Sequence, residues 1–320
     1  MLSLLARKPW YLLVLPAAVL LAVLGFRNGG GLHAADNQEM AAAMNVPVAQ
    51  VASSTGSASE GAVSGRERSA ALGPGLPLDL RAAFEGGRGL FEYARQLRTA
   101  AAAGDAEAGW MVSRIYDYCG VYAMDPQGYA LDSATLASMG LKDVPGLTAA
   151  REQVSQGCVG FTAADGLGHA LLLQQRRASA AAGSLAAEAA LLSMGEPLRT
   201  DAEYRRGLVE RVLNSQSPEA FLALSTAMGV AASGDDAYRG LVAGDQYAQL
   251  AWQLAACQLG LACGPDSALM TGYCANGGIC SRDPEQDFET FVYDAAVSRQ
   301  GMEKMNELVS NLRRARGGKP

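Results

Sequence analysis

Short, paired α-helices stapled by disulfides are the expected architecture of this 320-residue chain. Composition is the first reason: 49% of the residues are hydrophobic, yet only 7% are aromatic and much of the rest is alanine. Alanine costs least in a helix, so such a composition favours close-packed helices over sandwiches or barrels. Periodicity is the second, with apolar residues three and four apart in segment after segment beyond Asp79. The third is the lack of any convincing strand or two-residue hairpin signal.

Residues 1–35 read as a signal peptide or a signal anchor. Arg7 and Lys8 precede the uncharged run Trp10–Phe26, and Arg27 closes it. At about 1.5 Å per residue the run spans roughly 26 Å, marginal for a bilayer core and long for a cleaved leader. Basic residues ahead of it keep the N-terminus in the cytoplasm and send the remainder across. A bulky residue stands at −3 of the cleavage candidates ending at Ala34 and Ala35, which favours an uncleaved anchor through residues 10–26. The expected location is the periplasmic face of a bacterial inner membrane, or the periplasm itself if the segment is cleaved. No cysteine follows the run closely, which excludes a lipoprotein anchor.

Residues 36–78 are dominated by Ser, Gly and Ala, lack apolar periodicity and end in Pro74 and Pro77, so they read as a disordered linker. Residues 79–320 form the helical domain. Taking away residues 1–35 removes Arg7, Lys8 and Arg27 but no acid, so the net charge of −6 becomes about −9. Such a surface repels phosphate backbones, and nucleic acid is excluded as a partner class.

Within the domain, Gly104–Cys119 places Ala108, Met111, Val112, Ile115 and Tyr118 on one stripe. Asp125 precedes Pro126 and Asp283 precedes Pro284, each pair suited to cap and open a helix. Thr200/Asp201 cap a helix striped by Tyr204, Leu208, Val212 and Leu213. Ser217, Pro218 and Glu219 open another. Tyr247, Leu250, Ala251, Leu254 and Cys257 mark a further stripe. The last helix carries Arg313, Arg314 and Arg316 near its end, where positive charge complements the helix dipole.

Three segments share one logic, an alanine-rich helix end, a glycine turn and a new helix, with Gly104, Gly183 and Gly260 at the turn and Ser215 near an equivalent place. "YCGVYAMDP" and "GGICSRDP" echo each other, and Leu192, Gly195, Leu198 and Asp201 give a related pattern. These marks resemble Sel-one-like repeats, the short-helix relatives of tetratricopeptide repeats. Cys257 and Cys263 look like the cysteine-rich secreted branch, in which a bridge joins successive helices. The resemblance covers roughly residues 88–300 with uneven spacing, and residues 120–165 form an insertion that fits no unit. It implies an α-solenoid-like stack of helix hairpins, typically an adaptor, and carries over no catalytic residue.

Four of the six cysteines fall in C-x5-C-x10-C-x5-C spacing, from Cys257 through Cys263 and Cys274 to Cys280. Two thiolates converging on one zinc ion usually stand two to four residues apart, and no C-x-x-C is present for redox exchange. In an exported chain this spacing favours disulfides. Four cysteines allow three connectivities. Bridges Cys257–Cys263 and Cys274–Cys280 are geometrically easy, and they leave Cys119 with Cys158 to close the insertion.

Candidates for chemistry are few. His169 is the one histidine inside the domain, and a helix-start or surface position suits it better than a general base. Asp235 and Asp236, with Asp245 nearby, form one acidic group, the pair reading as a helix cap; Glu285, Asp287 and Glu289 form another, reading as first-turn acids after Pro284. Trp110, Tyr116, Tyr118 and Tyr122 surround Cys119, while Phe288, Phe291 and Tyr293 follow the last cysteine, as core or as the lining of a groove for a peptide or helix. No motif demands a metal or a cofactor. The expected function is a non-enzymatic interaction module that binds a protein or an envelope polymer. The alternatives are an envelope hydrolase acting on cell-wall or glycan material through carboxylates or His169, and a structural spacer.

Overall fold

The computed structural model describes residues 80–140 and 144–314. The expected membrane segment, the linker and Arg316 lie outside them. The described residues are helical, with no strand, and no helix among them is long and apolar enough to cross a membrane. In chain order the helices are α1 (Leu80–Glu85), α2 (Leu90–Ala102), α3 (Ala106–Met124), α4 (Pro126–Ser138), α5 (Val144–Cys158), α6 (His169–Ala181) and α7 (Leu185–Ser193). They continue as α8 (Ala202–Ser215), α9 (Pro218–Leu224), α10 (Gln246–Gln258), α11 (Ala268–Ala275), α12 (Phe288–Ala295) and α13 (Met302–Arg314).

Short polar side chains start these helices by accepting from otherwise unpaired N–H groups. Asp125 accepts from Gly128 N at 2.9 Å with Pro126 behind it, and Asp201 accepts from Tyr204 N at 2.8 Å. Ser217 caps α9 ahead of Pro218, and Asp245 caps α10. The expectation at Pro284 needs correcting. Asp283 caps only a turn, accepting from Glu285 N, and α12 begins later with Asp287 as its cap. The Ser281 hydroxyl engages the Asp283 backbone and Gln286, which holds the chain in that turn.

Gly104, Gly183 and Gly260 end α2, α6 and α10 in one geometry. Their φ values are +94°, +107° and +104°, a region costly for side-chain-bearing residues. In each case the next residue's N–H reaches back five positions: Asp105 to Ala100, Ser184 to Ser179 and Leu261 to Ala256. This is a Schellman stop, which satisfies the last carbonyls and turns the chain. After the first two stops the chain folds back at once, so α2 pairs with α3 and α6 with α7. Near Ser215, where no glycine stands, Gln216 takes the left-handed conformation instead, at φ 49°.

Packing runs from pair to neighbouring pair for most of the chain: α3 against α6, α7 against α9, α9 against α10, and α10 against α13. The core is rich in alanine and carries large aromatic side chains, with Trp110, Phe221, Trp252 and Phe288 essentially buried. After Gly260 the order changes, because α11 packs against α5 across more than a hundred residues of sequence. Gln153 of α5 donates to Asp266 O at 2.9 Å and accepts from Thr271 at 3.1 Å, while Glu85 accepts from Ala268 N at 2.8 Å.

All six cysteines pair as Cys119–Cys158, Cys257–Cys263 and Cys274–Cys280. The first ties α3 to the end of α5, the second clips the turn after α10, and the third closes the turn after α11. The insertion 120–165 takes shape as the tail of α3 and the hairpin α4–α5. Arg151 holds that hairpin together. Its guanidinium lies 3.6 Å over the Tyr129 ring, donating to Tyr129 O at 2.9 Å and to Ser133 Oγ at 2.8 Å.

Candidate functional site

Two concavities stand out. The larger, of about 610 Å³, is the V between α4 and α5. Ala, Ser, Thr and Pro line most of it, and Glu152 is its one ionisable group apart from the Tyr122 phenol. The smaller, of about 390 Å³, lies between α2, α3, α6 and the turn at Ala163–Asp165, and it combines an aromatic floor with polar walls.

The smaller cleft is built from four pieces of chain. On α2, Leu90, Tyr93, Ala94 and Leu97 form the buried stripe, and Phe91, Arg95 and Arg98 lie alongside at helical spacing. Tyr116 comes from α3 and is buried. Phe161 arrives from the end of α5, where Cys158 is bonded to Cys119 and Gly160 turns the chain at φ +104°. A Cβ at Gly160 would lie 3.0 Å from the Phe91 ring, so both the backbone conformation and the space require glycine. Phe161 then meets Phe91 edge-on at 5.1 Å and Tyr116 at 6.1 Å between centroids, the perpendicular geometry that ring quadrupoles prefer.

The walls are polar. Arg95 is exposed and pairs with Glu92 at 3.3 Å within its own helix. Arg98 is exposed and lines the cleft with Tyr116. Burial pushes the Tyr116 pKa up, and Arg98 draws part of that shift back. Gln174 and Gln175 come from α6, the latter donating to Gly109 O at 3.2 Å. Asp165 is spent in a capping box with Thr162, accepting from its N–H at 2.7 Å.

The candidates for catalysis are not brought together. His169 is the exposed first residue of α6. Asp235 caps the turn at Asp236–Tyr238 and pairs with Arg205 at 2.7 Å, and Asp236 pairs with Arg239. Asp245 caps α10 and reaches Lys304 at 3.2 Å. Asp287 caps α12, and Glu289 accepts from Gln258 at 3.3 Å. Among the described residues no group of three or more His, Cys, Asp or Glu could hold a metal. Of the two aromatic sets, Tyr116 lines the cleft and Tyr122 the α4–α5 groove, while Trp110, Tyr118, Phe288 and Phe291 are core.

One polar knot carries no signature in the sequence. Glu219 on α9 is 4% exposed and accepts from Trp110 Nε1 at 3.0 Å and from Arg114 at 2.5 Å. Glu85 stands near both charges, and burial pushes its carboxyl pKa up while its hydrogen bond from Ala268 N opposes the shift. Glu107 is exposed as a residue, yet enough protein surrounds its carboxyl to raise its pKa, against a hydrogen bond from Ser184. Perturbed carboxylates mark active sites often enough to be weighed here. One oxygen of Glu85 accepts from a backbone N–H, however, and one of Glu219 from an indole and a guanidinium, which makes the knot a joint between α1, α3, α9 and α11.

The cleft was only partly legible. Tyr116 stood among the aromatics around Cys119, but Phe91 and Phe161 come from segments that carry no motif. A usable signal was the spacing of Phe91, Arg95 and Arg98 beside an independent core stripe. No family model matches the chain, and neither a curated protein nor a solved structure does.

Proposed function

We propose that the chain is a non-enzymatic interaction module of an oxidising compartment, and that the cleft between α2, α3 and α6 receives its partner. The observation that carries this reading is the composition of the cleft: Phe161 packed edge-on against both Phe91 and Tyr116 for a floor, arginine and glutamine for walls, and no nucleophile beside a base. Interfaces are rich in aromatic residues and arginine, and such groups bind without reacting. A hydrolase of glycans needs two carboxylates across an open site, whereas Asp235, Asp245 and Asp287 are caps and Asp235, Asp236 and Asp245 sit in ion pairs.

Two further parts of the reading have support of their own. The Sel-one-like character agrees with two helix hairpins, α2–α3 and α6–α7, turned by the same glycine stop. Location outside the cytosol agrees with six cysteines spent in three bridges. Anchoring through residues 10–26, or release after cleavage, completes the proposal as an envelope protein.

Crosslinking and pull-down from intact envelopes is the test, comparing the full chain with Phe161→Ser after circular dichroism shows that the variant is folded, since Phe161 is only 4% exposed. A reproducible partner that the variant loses is the expected result. Recovery of an identical set of proteins by both forms, or of none by either, would remove the cleft from this role.

A further inference from the structure

We propose that the cleft between α2, α3 and α6 binds a short peptide segment in which a large apolar side chain is flanked by Asp or Glu, the apolar group resting on Phe91, Tyr116 and Phe161 and a carboxylate on Arg98. The inference rests on the cleft being the receiving surface and names what it receives.

Charge carries the argument. The chain is acidic overall, at −6, yet the α2 wall of the cleft presents Arg95 and Arg98 one turn apart. Arg95 is already shared with Glu92 at 3.3 Å, while Arg98 forms no salt bridge among the described residues. Arg98 is therefore the less neutralised of the two guanidinium groups, and it lines the same cleft as the aromatic rings. A bidentate guanidinium–carboxylate contact is among the stronger polar contacts available to a protein surface. The Asp165 carboxylate, the one acid lining the cleft, accepts through one oxygen from the Thr162 N–H at 2.7 Å and hydroxyl at 3.1 Å and forms no salt bridge with either arginine.

Size and shape narrow the occupant. About 390 Å³ falls at the low end of the roughly 300–1,000 Å³ typical of ligand pockets and accommodates one large side chain with its neighbours, not a helix. Gln174, exposed on the α6 wall, offers an amide that both donates and accepts, as a peptide backbone requires. A basic peptide would meet the arginines with like charge, and an uncharged one would leave Arg98 unmatched.

Calorimetric titration of the full chain with peptides capped at both ends decides the matter, because capping removes terminal charges from the comparison. The three probes are Gly-Glu-Phe-Glu-Gly, its Gln counterpart and its Lys counterpart. The Glu peptide is expected to bind about tenfold or more tightly than the Gln peptide, as befits a charge-assisted contact, and to weaken with salt. Arg98→Glu should abolish that preference and transfer it to the Lys peptide. Arg95→Gln, which removes the partly neutralised arginine, should have the smaller effect. Circular dichroism on each variant confirms that these exposed positions leave the fold intact.

Equal binding of the Glu and Gln peptides overturns the inference and leaves the interaction reading standing. Binding of none of them, with the envelope pull-down still dependent on Phe161, does the same. Failure of both experiments removes the cleft altogether. The chain displays such a pair itself, Leu131 at 69% exposed beside Asp132, so sedimentation of the apo protein is run alongside. An Arg98-dependent dimer would overturn the inference in favour of a second copy as occupant.

Discussion

Glu219 shows how a single side chain can be structurally decisive without leaving a trace in the pattern of the sequence. It follows Pro218 in the first turn of α9, where an acid is ordinarily a solvated complement to the helix dipole. Here the helix start is buried, and the carboxylate is consumed by Trp110 and Arg114 from a hundred residues away. Glu219→Ala would leave the guanidinium and the indole N–H without an acceptor, at a cost of about 3–5 kcal/mol. Glu210→Ala, which removes an exposed partner of Arg206, should cost under about 0.5 kcal/mol. Urea denaturation of the pair measures the contrast, and similar midpoints would contradict the account of the knot. Caps were the opposite case: Asp125, Asp201 and Ser217 could be read from the sequence because each works on its own helix within three residues. Asp283 failed since Ser281 and Gln286, its close neighbours, stabilise a competing turn.

Among the elements, the glycine stops and the bridges shape the fold in different ways. Gly104, Gly183 and Gly260 were recognisable because φ > 0 is the one thing glycine does that other residues resist. The packing partner of the helix beyond each stop was not recognisable, for that depends on the face the new helix finds. The pairing of cysteines was readable as far as short loops are easily bridged, and the structure has that set. The bridges differ in what they restrain. Cys119–Cys158 closes a separation of 39 residues and each of the others closes 6, so chain entropy gives the first about 4 kcal/mol and the others about 2 kcal/mol. Replacing both cysteines of each bridge by serine should reproduce that order in denaturant midpoints. A larger loss from either short bridge would show that local strain or packing, not chain restriction, governs their contribution.

At the scale of the molecule, the return of α11 to α5 separates this fold from a simple stack. In a one-dimensional array each unit touches only its neighbours and can open from an end. Here Gln153, Asp266 and Thr271, together with Glu85 and Ala268, join early and late parts of the chain. Backbone amides of α5 and α11 are accordingly expected to exchange hydrogen through the same opening event, with equal free energies by native-state exchange. Exchange of α11 through a separate, cheaper opening would mean that the contact is superficial. The all-helical class was legible from composition and period, which are local. The closure was not, because the short α11, with Leu269, Met270 and Tyr273 set among small residues, carries no pattern that names a partner. A last consequence comes from the position of Phe161, three residues beyond Cys158. On the proposed reading of the cleft, a nascent chain with reduced thiols has no finished platform for its partner, so engagement is deferred until export and thiol oxidation are complete, and premature capture in the cytosol is avoided without any separate inhibitor.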